Sequence, residues 1–363
     1  MMLIMNTNSK TSVSGRSSAY KSDFMRLLIT DRVDRARRTK NPANYDHLRS
    51  RLEKPRGSLS LTQFSEAHHE NFLDAIDSAF DEDQIMTDVF SVLKGNKRLP
   101  SRTNHSCKNW APLISANLVI PLPGFFDGAE QSAADSELRQ ALDGVIVPSV
   151  SSNTPFLPNF FAEVKAPGAS AEVARRQAVY DGAFGARAMH HLKAYGARET
   201  SDENAYTLTS TYTDFRLEIF AHSLTEPDGL GRPPHYHTVS LNRWMLDEDV
   251  EASRAGVTAF RNARDLAQEY GDTFIADANQ RMQSFSQETR GEYMEEAFQR
   301  IREIAERNGS FGSSVSTSRS DPPNEKGHGS ESDAMMPLFH RQAEPKKRLR
   351  RSKNVRASRA EKD

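Results

Sequence analysis

The run Leu157-Pro-Asn-Phe-Phe-Ala-Glu163-Val-Lys165-Ala-Pro-Gly, followed at once by Ser170-Ala-Glu-Val-Ala-Arg-Arg-Gln177-Ala-Val-Tyr180-Asp181-Gly-Ala-Phe, constrains the fold more than any other stretch. Its first part reads as a strand. Side chains alternate faces along a strand, so Glu163 and Lys165 point the same way while Val164 enters a core. The apolar Phe160-Phe161 lead-in argues for a central strand, where burying a glutamate and a lysine is costly unless they are paired or used. The second part is free of proline and rich in alanine from Ser170 to Tyr195 and reads as a helix, with Ser170 as N-cap and Glu172 in the positive first turn. Gly182 and Gly185 inside it are each about 1 kcal/mol less favourable than alanine. Close packing of the helix on a sheet would explain them.

The remaining elements follow from periodicity. Residues 1–57 are rich in Ser, Asn, Lys and Arg and are expected to form a mostly disordered N-terminal arm, with one amphipathic run between Tyr20 and Arg38. Thr62 is placed to cap the next segment, and Phe64, Phe72, Ile76, Phe80, Ile85, Met86, Val89, Phe90 and Leu93 recur at helical spacing up to Gly95. Asn117-Leu-Val-Ile-Pro and Gly144-Val-Ile-Val-Pro are short β-branched runs ended by proline, and each is expected to be a strand. Alternation and Thr/aromatic content predict strands at 205–213, 217–222 and 235–241, with Asp214 in the turn between the first two. Residues 248–306 predict a long helix or a helical pair. From about 307 onward Gly, Ser, Asp and Pro dominate and disorder is expected.

Composition sets limits on function. The single cysteine, Cys107, excludes an internal disulfide framework and a cysteine-based zinc cluster, and fits a reducing compartment. No run of roughly 18 apolar residues exists, and the apolar N-terminus is too short for a signal peptide, so a soluble chain without a membrane partner is expected. The net charge of −1 hides an asymmetry: residues 345–359 hold eight Lys/Arg and no acid, which leaves 40 basic against 49 acidic residues elsewhere. An acidic body binds nucleic acid through a local cleft rather than by bulk charge.

The strand bearing Glu163 and Lys165, the helix behind it and the antiparallel extension resemble the αβββαβ core of PD-(D/E)XK nucleases. The resemblance implies an α/β fold of restriction-endonuclease-like architecture, a mixed sheet flanked by helices, in one domain at 58–306. It also implies Mg²⁺ held by two carboxylates, a polarised scissile phosphate and a lysine that orients the attacking water. Glu163 would be one ligand and Lys165 the lysine. The other ligand would come from the preceding strand, with Asp127 and Asp143 as candidates. Gln177 and Tyr180 lie three apart on one helix face, similar to the Gln/Tyr motif of the RecB-like branch, which spaces the pair by four. A bland reading stands beside this one, because a Glu-x-Lys pair on a strand is often a solvated edge. His235 and His237 would share a strand face and could bind a transition metal, against the alternative of two polar surface histidines. His190 and His191 complement the dipole at a helix end.

Longer motifs carry a second resemblance. The run from Leu157 to Lys165, Ala174-Arg-Arg-Gln-Ala-x-Tyr-Asp-Gly-Ala-x-Gly-Ala-Arg187, Asn204-Ala-Tyr-Thr-Leu-Thr-Ser, Gly231-Arg-Pro and Phe260-Arg-Asn-Ala-Arg264-Asp are similar to a large family of proteins from filamentous fungi built on a domain of unknown function. The likeness covers roughly residues 60–290. Members of that family tend to place an acid directly after proline in a Pro-Asp-aromatic-aromatic-Asp-Gly stretch, whereas here Pro123 is followed by Gly124.

These readings converge on an expectation of a Mg²⁺-dependent phosphodiesterase acting on nucleic acid. The alternative is a catalytically inactive binding module on the same fold, since a fold can persist while its ligands drift. A purely structural protein is the third. The run from Lys346 to Lys353 fits a nuclear import receptor's groove and implies a nuclear location, with a cytoplasmic one, and a generic basic tail, as the alternatives.

Overall fold

Why a strand can carry Glu163 and still be buried follows from its place in the sheet. The computed structural model describes residues 16–30, 32–35, 41–113, 118–197, 202–225 and 234–307. The segment expected to be a mobile arm supplies three elements: helix α1 (Phe24–Thr30), strand β1 (Val33–Arg35) and helix α2 (Tyr45–Leu52). Phe24, Leu28, Val33, Leu48 and Leu52 are buried, so this segment has enough apolar surface to be held by the body. The two helices, or one broken helix, expected between 62 and 94 are α3 (Glu66–Asp77) and a second helical run made of α4 (Glu82–Gln84), a π-helical turn at Ile85–Val89 and α5 (Phe90–Lys94). Asp81 rather than Thr62 makes a capping bond, accepting from the Gln84 amide. Phe80 falls in the break and is exposed.

Two short strands follow, β2 (Ser101–Thr103) and β3 (Phe125–Ala129), then α6 (Ser136–Ala141), β4 (Phe156–Val164) and α7 (Ala171–Ala194). Neither proline-ended run is a strand. Leu118 makes one isolated bridge to Ser17, while Val145 and Ile146 are buried in a turn that follows α6. Val145 and Ile146 are apolar because they pack, whereas in the first run Leu118 is buried and Ile120 is exposed; β-branched content distinguishes neither case from strand pairing. Strands β5 (Thr207–Thr213), β6 (Arg216–Thr225) and β7 (His235–Met245) then precede α8 (Val250–Ser284) and α9 (Gln287–Arg307). Asp214 and Phe215 both have positive φ, 46° and 63°, which matches the right-handed twist of the β5–β6 hairpin.

The sheet order is β1-β7-β6-β5-β4-β3-β2. Strands β2, β3 and β4 form an antiparallel meander, α7 crosses over, and β5 returns parallel to β4. Every residue of β4 is buried, as expected for a strand covered on both faces. Phe160 packs on α8 through Phe260, with centroids 5.4 Å apart, while Phe161 joins Trp110 and Phe184 on the α7 side. Glu163 shares the parity of Phe161 and so faces α7. That helix lies close to the sheet. A Cβ at Gly182 would sit 2.2 Å from the His222 ring, and one at Gly185 2.6 Å from Thr207. Among the described residues no helix is long and apolar enough to cross a membrane. The basic run at 346–353 lies outside them.

Candidate functional site

Strand β4 delivers Glu163 to a cavity of about 360 Å³ beneath α7. The carboxylate is 1% exposed, and its Oε1 accepts a hydrogen bond of 2.8 Å from the amide of Gly124, the residue just before β3. Lys165 Nζ stands 3.6 Å from Glu163 Oε2 and 3.4 Å from Glu82 Oε1, so the lysine bridges β4 to the first turn of α4. Helix α7 adds Gln177, Tyr180 and Asp181 to the same cavity. Gln177 and Asp181 are four apart and therefore share a helix face.

Charge in the cavity is under tension. Burial pushes the Glu163 carboxyl above the ordinary carboxylate range, with Lys165 and the Gly124 amide opposing it. Asp181 is pushed well above that range, first by burial and then by the adjoining Glu163 carboxylate, to which it hydrogen-bonds. Two buried acids in contact cannot both ionise cheaply, so the pair retains a proton between them. Glu163 Oε2 and Gln177 Oε1 receive no hydrogen bond from an amide, amine or hydroxyl and are shielded from solvent. Such orphaned acceptors have unused capacity for a cation or a donor.

Comparison with protein-family models, with curated proteins and with solved structures gives no match. The reading of this site therefore rests on its own geometry.

Glu163, Lys165, Gln177 and Tyr180 line this one cavity, whereas Asp127 and Asp143 do not. Asp127 lies on the opposite face of the sheet, where Arg264 Nε and Nη2 hold its two oxygens at 2.7 and 2.9 Å. Strand parity explains this, since Asp127 pairs with Phe160 while Glu163 shares its face with Phe161. Asp143 is exposed in the turn after α6 and accepts from Asn109 Nδ2 at 2.7 Å. Tyr180 lines the cavity, but its hydroxyl is committed to the Val119 carbonyl at 2.9 Å. The acids that do join Glu163 are Asp181 and Glu82. Asp181 was discoverable, because it stands four residues after Gln177 in the quoted motif. Glu82 carried no signal beyond an acidic helix start.

The mouth of the cavity is different in character. Tyr20, Ile120 and Leu122 line it and remain 70%, 40% and 54% exposed. A polar floor thus opens through an apolar rim.

Proposed function

We propose that the cavity is the site of a Mg²⁺-dependent phosphodiesterase of PD-(D/E)XK type acting on nucleic acid. The observation that carries the reading is the convergence of Glu163, Lys165 and Asp181 in one buried cavity, with Glu82 and Gln177 at its wall. The order helix, antiparallel meander of β2 to β4, crossover helix and parallel β5 supports the αβββαβ core. Hard carboxylate oxygens and an orphaned Glu163 Oε2 fit Mg²⁺, which prefers oxygen donors. When bound, the ion supplies charge neutralisation at the scissile phosphate and a lower pKa for bound water. Glu163 and Asp181 would supply negative charge for it once the pair gives up its shared proton, Lys165 offers a donor for a water or a developing oxyanion, and Gln177 Oε1 accepts from a water. The exposed Tyr20 ring at the mouth offers a face on which a base can stack. The basic run at 346–353 would take the protein to the nucleus by way of an import receptor.

A second reading has its own observation. The residue against Glu163 in the preceding strand's line is Gly124, so no carboxylate arises there, and a catalytically inactive module that binds nucleic acid on the same fold remains the alternative. Calorimetric titration of the full chain with Mg²⁺, beside Glu163→Ala, separates the two when paired with plasmid nicking. Binding and nicking that vanish together in the variant are expected. Absence of both in the wild-type protein overturns the enzymatic reading.

A further inference from the structure

The second cluster lies at the β1 edge of the sheet, on β1 and β7, which stand four and three strands from β4. Strand β1 pairs parallel with β7 so that Asp34 stands opposite His237, and His235, two residues earlier, shares that face. One ligand atom from each of Asp34, His235 and His237 lies within 4.8 Å of the others. His235 Nε2 is 2.6 Å from Asp34 Oδ2. His237 Nε2 is 3.0 Å from Thr225 Oγ1, while its Nδ1 is buried with no hydrogen-bond partner. An ion pair across the edge would account for Asp34 and His235 but leaves His237 Nδ1 unexplained, and buried nitrogens are ordinarily satisfied.

We propose that Asp34, His235 and His237 form a binding site for a divalent transition ion, Zn²⁺ being the best match, that clamps edge strand β1 to β7. Two imidazoles and one carboxylate are a borderline donor set that suits Zn²⁺ and its neighbours and disfavours Mg²⁺. With the proton of His237 on Nε2, donated to Thr225, Nδ1 presents the lone pair, the arrangement in which metal-bound histidines are usually held. Bond lengths of about 2.0–2.2 Å bring ligand atoms to roughly 3.3 Å from one another, so side-chain rotation closes the site without moving the strands. The three ligands are partly exposed, which leaves a coordination position for water. The clamp has a consequence for the cavity. Ser18, Ala19, Tyr20 and Phe24, which precede strand β1 in the chain, form part of the cavity wall.

The test uses the full-length protein stripped with EDTA and titrated with Zn²⁺ by calorimetry and with Co²⁺ by visible absorption. With Mg²⁺ in excess to occupy the Glu163 cavity, one transition ion per chain with micromolar or tighter affinity is expected, with a raised thermal midpoint. Asp34→Asn and His237→Gln should each weaken binding by about 100-fold or more, and Thr225→Val by about 10-fold, the usual effect of losing an orienting partner. Glu163→Ala should bind Zn²⁺ as the wild-type protein does. Circular dichroism checks each variant, and Asp34→Asn, at the edge strand, serves where His237→Gln disturbs the fold. No bound Zn²⁺ in the wild-type protein, undiminished binding in both ligand variants, or loss of the ion in Glu163→Ala would each overturn the assignment.

Discussion

Gly124 donates its amide to Glu163 Oε1 at 2.8 Å, and a Cβ added to it would lie 3.7 Å from both carboxylate oxygens. Gly124 has no positive φ, so a side chain is conformationally allowed, although the Ala162 carbonyl at 3.2 Å must yield slightly. Gly124→Asp therefore sets a further carboxylate beside Glu163. Like charges in a buried site repel, so the variant should lose about 1–2 kcal/mol in EDTA, and Mg²⁺ should restore it. Thermal melting with and without Mg²⁺ measures both. A variant that folds, yet gains nothing from Mg²⁺ relative to the wild-type protein, speaks against a metal at Glu163.

Asp181 and Glu163 are buried against each other, and burial keeps a proton on the pair. Asn in place of Asp181 donates to Glu163 as the protonated acid does, without the cost of keeping a carboxyl neutral at pH 7. Asp181→Asn should thus raise metal-free stability by about 1 kcal/mol while weakening Mg²⁺ binding, a trade between stability and a functional site. Denaturant unfolding in EDTA and calorimetry read the two arms. If stability falls and Mg²⁺ binding is unchanged, Asp181 is a structural group.

Strand β4 and helix α7 were legible in the sequence because each obeys one strong local rule. An apolar run bounded by turn residues marks β4, and a long proline-free stretch with closely packed glycines marks α7. Strand β3 was not legible, since Phe125-Phe-Asp-Gly-Ala is short and its two pairing partners, β2 and β4, lie well outside any local sequence window. The carboxylate partners of Glu163 failed for a related reason. Which face Asp127 takes depends on register, and a shift of one residue reverses every side chain. Asp34 could not be joined to His235 and His237 from sequence at all, because 200 residues of chain separate β1 from the strand it pairs with.

Asp127 provides a contrast with Asp181. Its carboxylate and the Arg264 guanidinium form a buried bidentate pair, and Arg264 Nη1 also donates to the Lys94 carbonyl at 3.0 Å. Removing one partner of a buried pair leaves the other charge uncompensated, at a cost of about 3–5 kcal/mol. Asp127→Ala should lose that much stability and leave Mg²⁺ affinity per folded molecule unchanged. A selective fall in affinity without loss of stability would instead tie Asp127 to the metal.

Gly182 carries a prediction about packing. With a Cβ placed 2.2 Å from the His222 ring, Gly182→Ala forces α7 away from β6 and should destabilise by roughly 1–3 kcal/mol, despite alanine's better helix propensity. Chemical denaturation checks the sign. A stabilised variant would mean that α7 is not held so close to the sheet.

His222 itself links that packing to pH. Thr209 Oγ1 lies 2.8 Å from Nε2 and Thr238 Oγ1 3.1 Å from Nδ1, with Gly182 closing over the ring. Burial pushes this imidazole down from its ordinary 6.5 to about 3. Between those values the unfolded chain binds a proton that the folded protein refuses. The contribution of neutral His222 is therefore complete above pH 6.5 and is lost as the pH falls toward 3, with a slope of about 1.4 kcal/mol per pH unit. His222→Gln keeps hydrogen-bonding capacity for both threonines and removes the titration. Its stability relative to the wild-type protein should rise by that slope as urea unfolding is repeated from about pH 6.5 down to about pH 4.5. Parallel pH profiles for the two proteins would show that His222 takes up its proton in the folded state as readily as in the unfolded one.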